Sequence, residues 1–479
     1  MPEWAGEWME LEEFRRHGHE VIDWMVDYLE NIEDYPVMSQ VAPGAVADQL
    51  PDSPPSRGEP FERIMADFQS IIVPGMTHWQ NPSFFAYFPA NSSPPSVLAE
   101  MLTATMGAQC MVWQTSPAAA ELEERVMEWL RDMIGLPRGF AGVIQDSAST
   151  STLCSLLTAR ERVSNYSTNQ DGLTGGDDIT AYCSTETHSS IEKGIRIAGI
   201  GSDNLRRVPV DGNYAMVPDD LETAIEDDKA AGRTPACVVA TIGTTGSTAI
   251  DPLKSIGDIC SEHGVWLHVD AALAGTALLL PEFRWMIEGI ENVDSFVFNP
   301  HKWMFTNFDC SAYFVRDPEA LIRTFQISPE YLKTGQDRHV KNYRDWGVQL
   351  GRRFRALKLW FVIRSYGVEG LRGMVREHIR LAGKLSERIE SCEDFELMAP
   401  VPLNTICFRY RPPGVEGEEL NAVNADLLER LNRTGRLYLT HTKLGGKFIL
   451  RLVVGQTYVE RRHVESAWDL IVDTARSGR

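Results

Sequence analysis

Between residues 10 and 33 the apolar side chains Leu11, Phe14, Val21, Met25, Tyr28, Leu29 and Ile32 recur at the spacing of one helix face. That periodicity predicts an amphipathic helix, whose apolar face needs cover from the rest of the chain or from a second copy of it. The stretch 43–60, with Pro51-Asp52-Ser53-Pro54-Pro55 inside it, interrupts any period and reads as an extended linker. From about residue 90 to 330 the pattern alternates. Helical spacing over 119–134, 153–160 and 253–263 is interleaved with short β-rich runs at 238–242, 265–269, 296–298 and 312–315. Such alternation predicts an α/β domain with a mainly parallel sheet. A helix is expected over 352–366. Beyond residue 370, helical stretches at 372–392 and 418–433 mix with strand-like runs at 404–410 and 447–454. The chain therefore divides into a helical segment (1–89), a large α/β domain (90–369) and a smaller α+β domain (370–479).

Composition narrows the partners more than the fold. At 479 residues and 43% hydrophobic, the chain can bury a large core. Its net charge of −21 argues against nucleic acid or an anionic membrane surface, both of which reward clustered Lys and Arg. The eight cysteines are scattered without a C-x-x-C pair, so neither a zinc ribbon nor a disulfide framework is favoured. No metal site is expected. Reduced thiols suit a cytoplasm. The acidic start shows no secretory pattern, and no apolar run reaches membrane-spanning length. The expectation is a cytoplasmic protein.

The candidate chemistry lies beyond two of the strand-like runs. Asp270 follows 265–269, in Val269-Asp270-Ala271-Ala272, and Lys302 follows 294–298, in Asn299-Pro300-His301-Lys302-Trp303. Ligands of open α/β sheets bind outside the carboxyl ends of strands. An amine and a carboxylate there suit pyridoxal phosphate: the amine forms a Schiff base and the carboxylate holds the pyridine nitrogen protonated. The bland alternatives are a surface lysine and a helix-capping aspartate. Lys302 sits in an aromatic segment, where desolvation frees an amine. Small residues around Asp270 (Ala271, Ala272, Ala274, Gly275) leave room for a flat ring.

Other segments carry weaker signals. The run from Asp146 to Thr152, rich in hydroxyls and containing Ala148 and Ser149, opens a helix and offers free N–H groups to an anion, or merely caps that helix. Gly243-Thr244-Thr245-Gly246-Ser247 is either a second wall of the cofactor site or a plain turn. His188, at an expected helix start, gains a ring-stacking role only in company with the other pieces. The aromatic run Trp79, Phe84, Phe85, Tyr87 and Phe88 reads first as core and second as a wall of an aromatic pocket. Gly199-Ile200-Gly201 lacks the third glycine of a dinucleotide fingerprint, and neither a Walker lysine nor H-E-x-x-H is present.

Taken in order, Thr187-His188-Ser189-Ser190, His268-Val269-Asp270-Ala271-Ala272 and Asn299-Pro300-His301-Lys302-Trp303 resemble the group II pyridoxal-phosphate decarboxylases. Thr77-His78-Trp79, the segment from Phe84 to Pro89, Asp309-Cys310-Ser311 and the segment from Leu350 to Arg355 are similar to the aromatic-L-amino-acid decarboxylases. The likeness spans about residues 11 to 470. It implies fold type I, with the 1–89 segment packed across an obligate homodimer and the active site at the subunit interface. It implies that Lys302 carries the Schiff base, Asp270 pairs with the pyridinium nitrogen and His188 stacks on the ring. Ala148, Ser149, Thr245, Ala272, Asn299 and His301 would line the cofactor. Trp79, Tyr87, Phe88, Pro89 and Gly351 would form the substrate pocket. Tyr331, in a segment matching the family's mobile loop, would protonate Cα after carbon dioxide leaves.

Aldehyde-producing relatives tend to carry Phe in place of Tyr331 or Asn in place of His188, so amine formation is favoured. Glycine at 351 leaves room for a larger ring, which favours tryptophan, DOPA, phenylalanine or 5-hydroxytryptophan, allows tyrosine, and disfavours histidine. Asp146 and Ala90 depart from the animal pattern of Gly and Thr. Two alternatives stand beside this reading: an aromatic aldehyde synthase, and a non-catalytic interaction protein on the same fold.

Overall fold

The computed structural model describes residues 9–173, 178–327 and 340–477. Seven strands build the main sheet: β1 (Ala141–Gln145), β2 (Ile179–Ser184), β3 (Leu205–Val208), β4 (Thr234–Thr241), β5 (Trp266–Asp270), β6 (Ser295–Phe298) and β7 (Ser311–Val315). Their order across the sheet is β1-β7-β6-β5-β4-β2-β3. β7 runs antiparallel to both of its neighbours, and every other pairing is parallel. Parallel strands carry helices on both faces and so read as near-continuous apolar runs. Alternate residues of β5 serve the two faces. Leu267 and Val269 pack with Val126, Met127 and Leu130 of helix Pro117–Met133. Trp266 packs with Leu156 and Ala159 of helix Ala148–Val163.

Four further strands, β8 (Phe395–Leu397), β9 (Thr405–Tyr410), β10 (Thr440–Leu444) and β11 (Lys447–Val453), form an antiparallel sheet in the order β10-β11-β9-β8. It packs against helices Gly417–Arg433 and Arg461–Ser477. Helix Arg355–Glu390 spans both layers: Val362 and Leu371 join the first core, Leu381 and Ile389 the second. Gly367 interrupts it at φ 64, ψ 167, within the gap between the two helices predicted there. The first helix, Leu11–Glu30, is only partly covered by its own chain. Tyr28 hydrogen-bonds His78 at 2.9 Å and Trp24 packs on Phe68, whereas Leu11, Phe14, Ile22 and Val26 are exposed. Among the described residues no helix is long and apolar enough to cross a membrane.

Candidate active site

β5 and β6 are held in register with Asp270 opposite Val297. Beyond the strand ends the pairing continues: the Ala271 N–H donates to the Val297 carbonyl and the Asn299 N–H to the Ala272 carbonyl, each at 2.9 Å. The chain then turns into the short helix Pro300–Trp303, where the Lys302 N–H donates back to the Asn299 carbonyl at 2.9 Å. Backbone pairing alone thus sets the carboxylate of Asp270 and the amine of Lys302 at neighbouring strand ends. The Asp270 carboxylate is buried and accepts the Ala272 N–H at 3.0 Å through Oδ1.

The Lys302 Nζ lies 4.9 Å from the centre of the Phe88 ring. Burial lowers the lysine pKa to about 8; Asp270 opposes the shift and Arg451 adds to it. An appreciable share of the amine is therefore a free base near neutrality. The segment carrying Phe88 is tied directly to this turn, because the Asn91 N–H donates to the Lys302 carbonyl at 3.3 Å.

Arg451, in β11, is a site residue that sequence reasoning missed. Its guanidinium is buried and lies 5.2 Å from the Phe88 ring, so two cations rest on one aromatic side chain. Nε donates to the Gly246 carbonyl at 3.0 Å, and Nη1 reaches the Tyr87 carbonyl at 3.4 Å. The smaller sheet is thereby fastened to the 243–247 turn and to the pocket segment. Tyr87 has φ 51, an unusual backbone state for a residue with a side chain, and its N–H is held by Thr440 Oγ1 at 3.2 Å.

The two histidines stay neutral for different reasons. His301 is buried, accepts the Cys310 N–H on Nδ1 at 2.8 Å, and has its pKa pushed down to about 3 by burial and then by Lys302. His188 has an exposed ring whose Nδ1 accepts the Ser190 N–H at 3.2 Å, which leaves the ring proton on Nε2. Desolvation lowers its pKa, Asp270 opposes that, and Lys302 and Lys193 reinforce it. Helix Ala148–Val163 starts behind Ser147, whose Oγ accepts the Thr150 N–H at 3.3 Å. Its first-turn N–H groups, those of Ala148 and Ser149, have no intrahelical acceptor and suit an anion. Thr245 is exposed on its turn. Gly243 supports that turn: with φ 84, a Cβ there would come within 2.7 Å of the Ala274 Cβ.

One expectation needs correction. Of the small residues after Asp270, only Ala272 is partly open. Ala271 and Ala274 are fully buried, and a Cβ on Gly275 would stand 2.3 Å from the Phe298 Cβ. Their smallness serves helix-to-sheet packing, not room for a ring. The aromatic run also divides. Phe84 and Phe85 are core, Phe88 reaches Lys302, and Trp79 and Tyr87 stack on each other at 5.9 Å with exposed rings. Pro89 is buried. Gly351 lies on an exposed loop, and no hydrogen bond among the described residues ties it to Lys302. Tyr331 lies outside the described residues. Two sizeable cavities, of about 350 and 490 Å³, both border helix Arg461–Ser477 and touch none of these groups. The chemistry therefore points to the open strand ends and not to those cavities.

The comparison with known families decides the identity. Residues 43–411 match the model described as the pyridoxal-dependent decarboxylase conserved domain. The chain belongs to the pyridoxal-dependent decarboxylases. It is 43% identical over 477 residues to a phenylacetaldehyde synthase of Arabidopsis thaliana, covering 98% of this chain and 96% of that protein. It is 42% identical over 481 residues to tyrosine decarboxylase 4 of Petroselinum crispum, covering 98% and 94%. The solved structure of Catharanthus roseus tryptophan decarboxylase in complex with L-tryptophan matches with a TM-score of 0.93 and 40% identity, covering 98% of this chain and 99% of that one.

A pyridoxal-dependent decarboxylase is a carboxy-lyase that works with pyridoxal phosphate, and the residues present fit that group. Asp270 keeps a buried carboxylate with only Oδ1 engaged by a hydrogen-bond donor among the described residues, as a protonated pyridine nitrogen requires. The Asn299 side-chain oxygen is buried with no hydrogen-bond partner among the described residues. The helix start at Ala148 offers a phosphate free N–H groups.

Proposed function

We propose that this decarboxylase acts on aromatic L-amino acids and releases the corresponding arylethylamines and carbon dioxide. The observation that carries the reading is the Lys302 amine, lowered to about 8, beside the buried Asp270 carboxylate on adjoining strand ends. In this reading Lys302 holds the cofactor covalently, Asp270 keeps its ring nitrogen protonated, and His188 presents its exposed face to the ring. Ala148, Ser149, Thr245, Ala272, Asn299 and His301 line the rest. Pyridoxal phosphate supplies, when bound, a sink for the electron pair left at Cα as the carboxylate departs. Phe88 shields the Lys302 amine from water, and Tyr331 delivers a proton to Cα. Trp79, Tyr87, Phe88, Pro89 and Gly351 are assigned to the substrate pocket. Curated relatives that decarboxylate tyrosine and tryptophan support the substrate class.

A second reading, decarboxylation coupled to oxidative deamination, is favoured by one observation: a relative at 43% identity is a phenylacetaldehyde synthase. Tyr331 and His188 favour the amine. Mass spectrometry of products from L-tryptophan, L-tyrosine, L-phenylalanine, L-DOPA and L-histidine, with an oxygen electrode in parallel, separates the two. Amine without oxygen uptake supports the first reading; aldehyde with peroxide replaces it by the second. Tyr331→Phe is expected to divert product toward aldehyde, and unchanged amine yield without peroxide would remove Tyr331 from its role. Lys302→Ala is expected to abolish turnover and the long-wavelength absorbance of the lysine-bound cofactor; residual turnover would refute the assignment.

The assembly belongs to the same proposal. Leu11, Phe14, Ile22 and Val26 of the first helix and Leu98, Met101, Leu102 and Met106 of helix Pro94–Met106 are exposed apolar side chains. Their number supports a homodimer with the active site at the subunit interface. Sedimentation equilibrium at the mass of one chain would reject it. The division into 1–89, 90–369 and 370–479 is supported by two sheets that share no strand and by the break at Gly367. Eight free cysteines support a cytoplasmic location, which imaging of the tagged protein in its source cells would test.

A further inference from the structure

Residues 347–351 form a partly exposed crossing between two firmly held points. Before it, the Gln145 side-chain amide at the end of β1 donates to the Trp346 carbonyl at 3.0 Å. After it, buried Arg352 donates to both Glu123 oxygens, at 2.6 and 3.1 Å, and to the Ile144 carbonyl at 2.8 Å. The Arg352 N–H also donates to Gln109 Oε1 at 2.7 Å. In the crossing itself, Gly347, Val348, Leu350 and Gly351 have no side chain that can hydrogen-bond. Gln349 does, and its amide donates to Asp146 Oδ2. The other Asp146 oxygen accepts the Ser147 hydroxyl at 3.0 Å. The Val348 and Leu350 side chains are 60% and 46% exposed and offer the crossing little packing, although the Val348 backbone hydrogen-bonds the buried Cys154 thiol.

The glycines at its ends differ. A Cβ on Gly347 would meet the Gln145 amide at 2.7 Å, so that end fits tightly. A Cβ on Gly351 would meet nothing closer than the Gln109 amide nitrogen at 3.4 Å, so that end has room to shift. Asp146 itself lies between β1 and helix Ala148–Val163, whose first turn is assigned to the cofactor phosphate. A carboxylate here accepts a stronger, charge-assisted hydrogen bond than a neutral group would. The adjoining helix start tolerates its charge.

We propose that Asp146 is a positioning residue for substrate specificity: through Gln349 it fixes the loop that carries Gly351, and so the room left for the substrate ring. The inference rests on the assignment of Gly351 to the pocket. It gives the departure at position 146 a role in ring selection, separate from holding the cofactor.

The test measures kcat and KM of the holoenzyme for L-tryptophan, L-tyrosine and L-phenylalanine, with cofactor affinity by absorbance titration. Asp146→Ala and Gln349→Leu are each expected to shift the ratio of kcat/KM for tryptophan over tyrosine by about tenfold, the size of one lost charged hydrogen bond. The shift falls mainly on KM. In the specificity ratio the double variant should match either single one, because the Gln349–Asp146 bond is lost in all three, whereas the Ser147 hydroxyl bond is lost only where Asp146 is replaced. Asp146→Asn keeps an acceptor oxygen for Gln349 and should restore most of the ratio. Gly351→Ser is the control for the underlying assignment. If it moves the ratio while Asp146→Ala does not, the proposal fails and the pocket assignment stands. If it leaves the ratio unchanged, the pocket assignment fails, and the route through Gly351 with it. Additive effects in the double variant, or a loss of cofactor affinity at a constant ratio, would likewise overturn the proposal.

Discussion

The protonation of Lys302 is the most direct quantity to perturb. With a pKa of about 8, roughly one amine in ten is unprotonated at neutral pH; the ordinary value of 10.5 would leave roughly one in three thousand. Capture of pyridoxal phosphate by the cofactor-free protein should therefore run on the order of 300-fold faster at neutral pH than through an unperturbed lysine of equal reactivity. Stopped-flow absorbance across about pH 6 to 10 reads the midpoint, which is expected near 8. Two variants should move it in opposite directions. Asp270→Asn removes a charge that stabilises the ammonium, so the midpoint falls. Arg451→Gln removes a cation that destabilises it, so the midpoint rises, yet stays below 10.5 because burial is the larger cause. Stability follows the same sign. Below about 8 both folded and unfolded chains carry the proton and the fold bears the full cost of a desolvated charge. Between 8 and 10.5 only the unfolded chain keeps that proton, so the cofactor-free fold gains stability as pH rises through this window. A midpoint near 10.5, or parallel shifts in the two variants, would refute the reasoning.

Two expectations concern stability alone. Glu123→Gln leaves the buried Arg352 guanidinium without its counter-ion and should cost about 3–5 kcal/mol in urea unfolding; a loss under about 1 kcal/mol would show the pair to be solvated. Gly367→Ala places a side chain at φ 64, ψ 167, a region open almost only to glycine, and should cost about 1–3 kcal/mol by thermal unfolding; no change would mean that the helix break relaxes freely.

The pieces of the site that could be read in the sequence are those set by short-range pattern. The apolar runs of β5 and β6 stand out because both faces of these strands are buried, and Asp270 and Lys302 follow them within a few residues. β2 escaped notice because Thr180 and Tyr182 look polar. In the fold the two hydroxyls bond each other, and that of Tyr182 also donates to Asp228, so the strand is buried with its polar groups satisfied. The reversed direction of β7 carries no mark in its composition. Arg451 was hidden for a different reason. In Ile449-Leu450-Arg451-Leu452 it reads as the polar member of an alternating strand. Its burial comes from Tyr87, Phe88 and Gly246, which lie far away along the chain. The final helix, Arg461–Ser477, is amphipathic and was open to the same periodicity argument as the first, but was not among the predicted elements.

The peptide pairing that runs from β5 and β6 out to Asn299 and Lys302 has a consequence for how such an enzyme can diversify. The separation of amine and carboxylate is written in main-chain atoms, which every amino acid shares. Substitutions in the surrounding pocket can therefore accumulate without moving the two residues apart, even where they retune the amine as Arg451 does. The 347–351 loop, by contrast, is held by side chains such as Gln349 and Asp146, which a single codon change can alter. The placement of amine and carboxylate is thus insulated from sequence drift, while the hold on the 347–351 loop stays open to it.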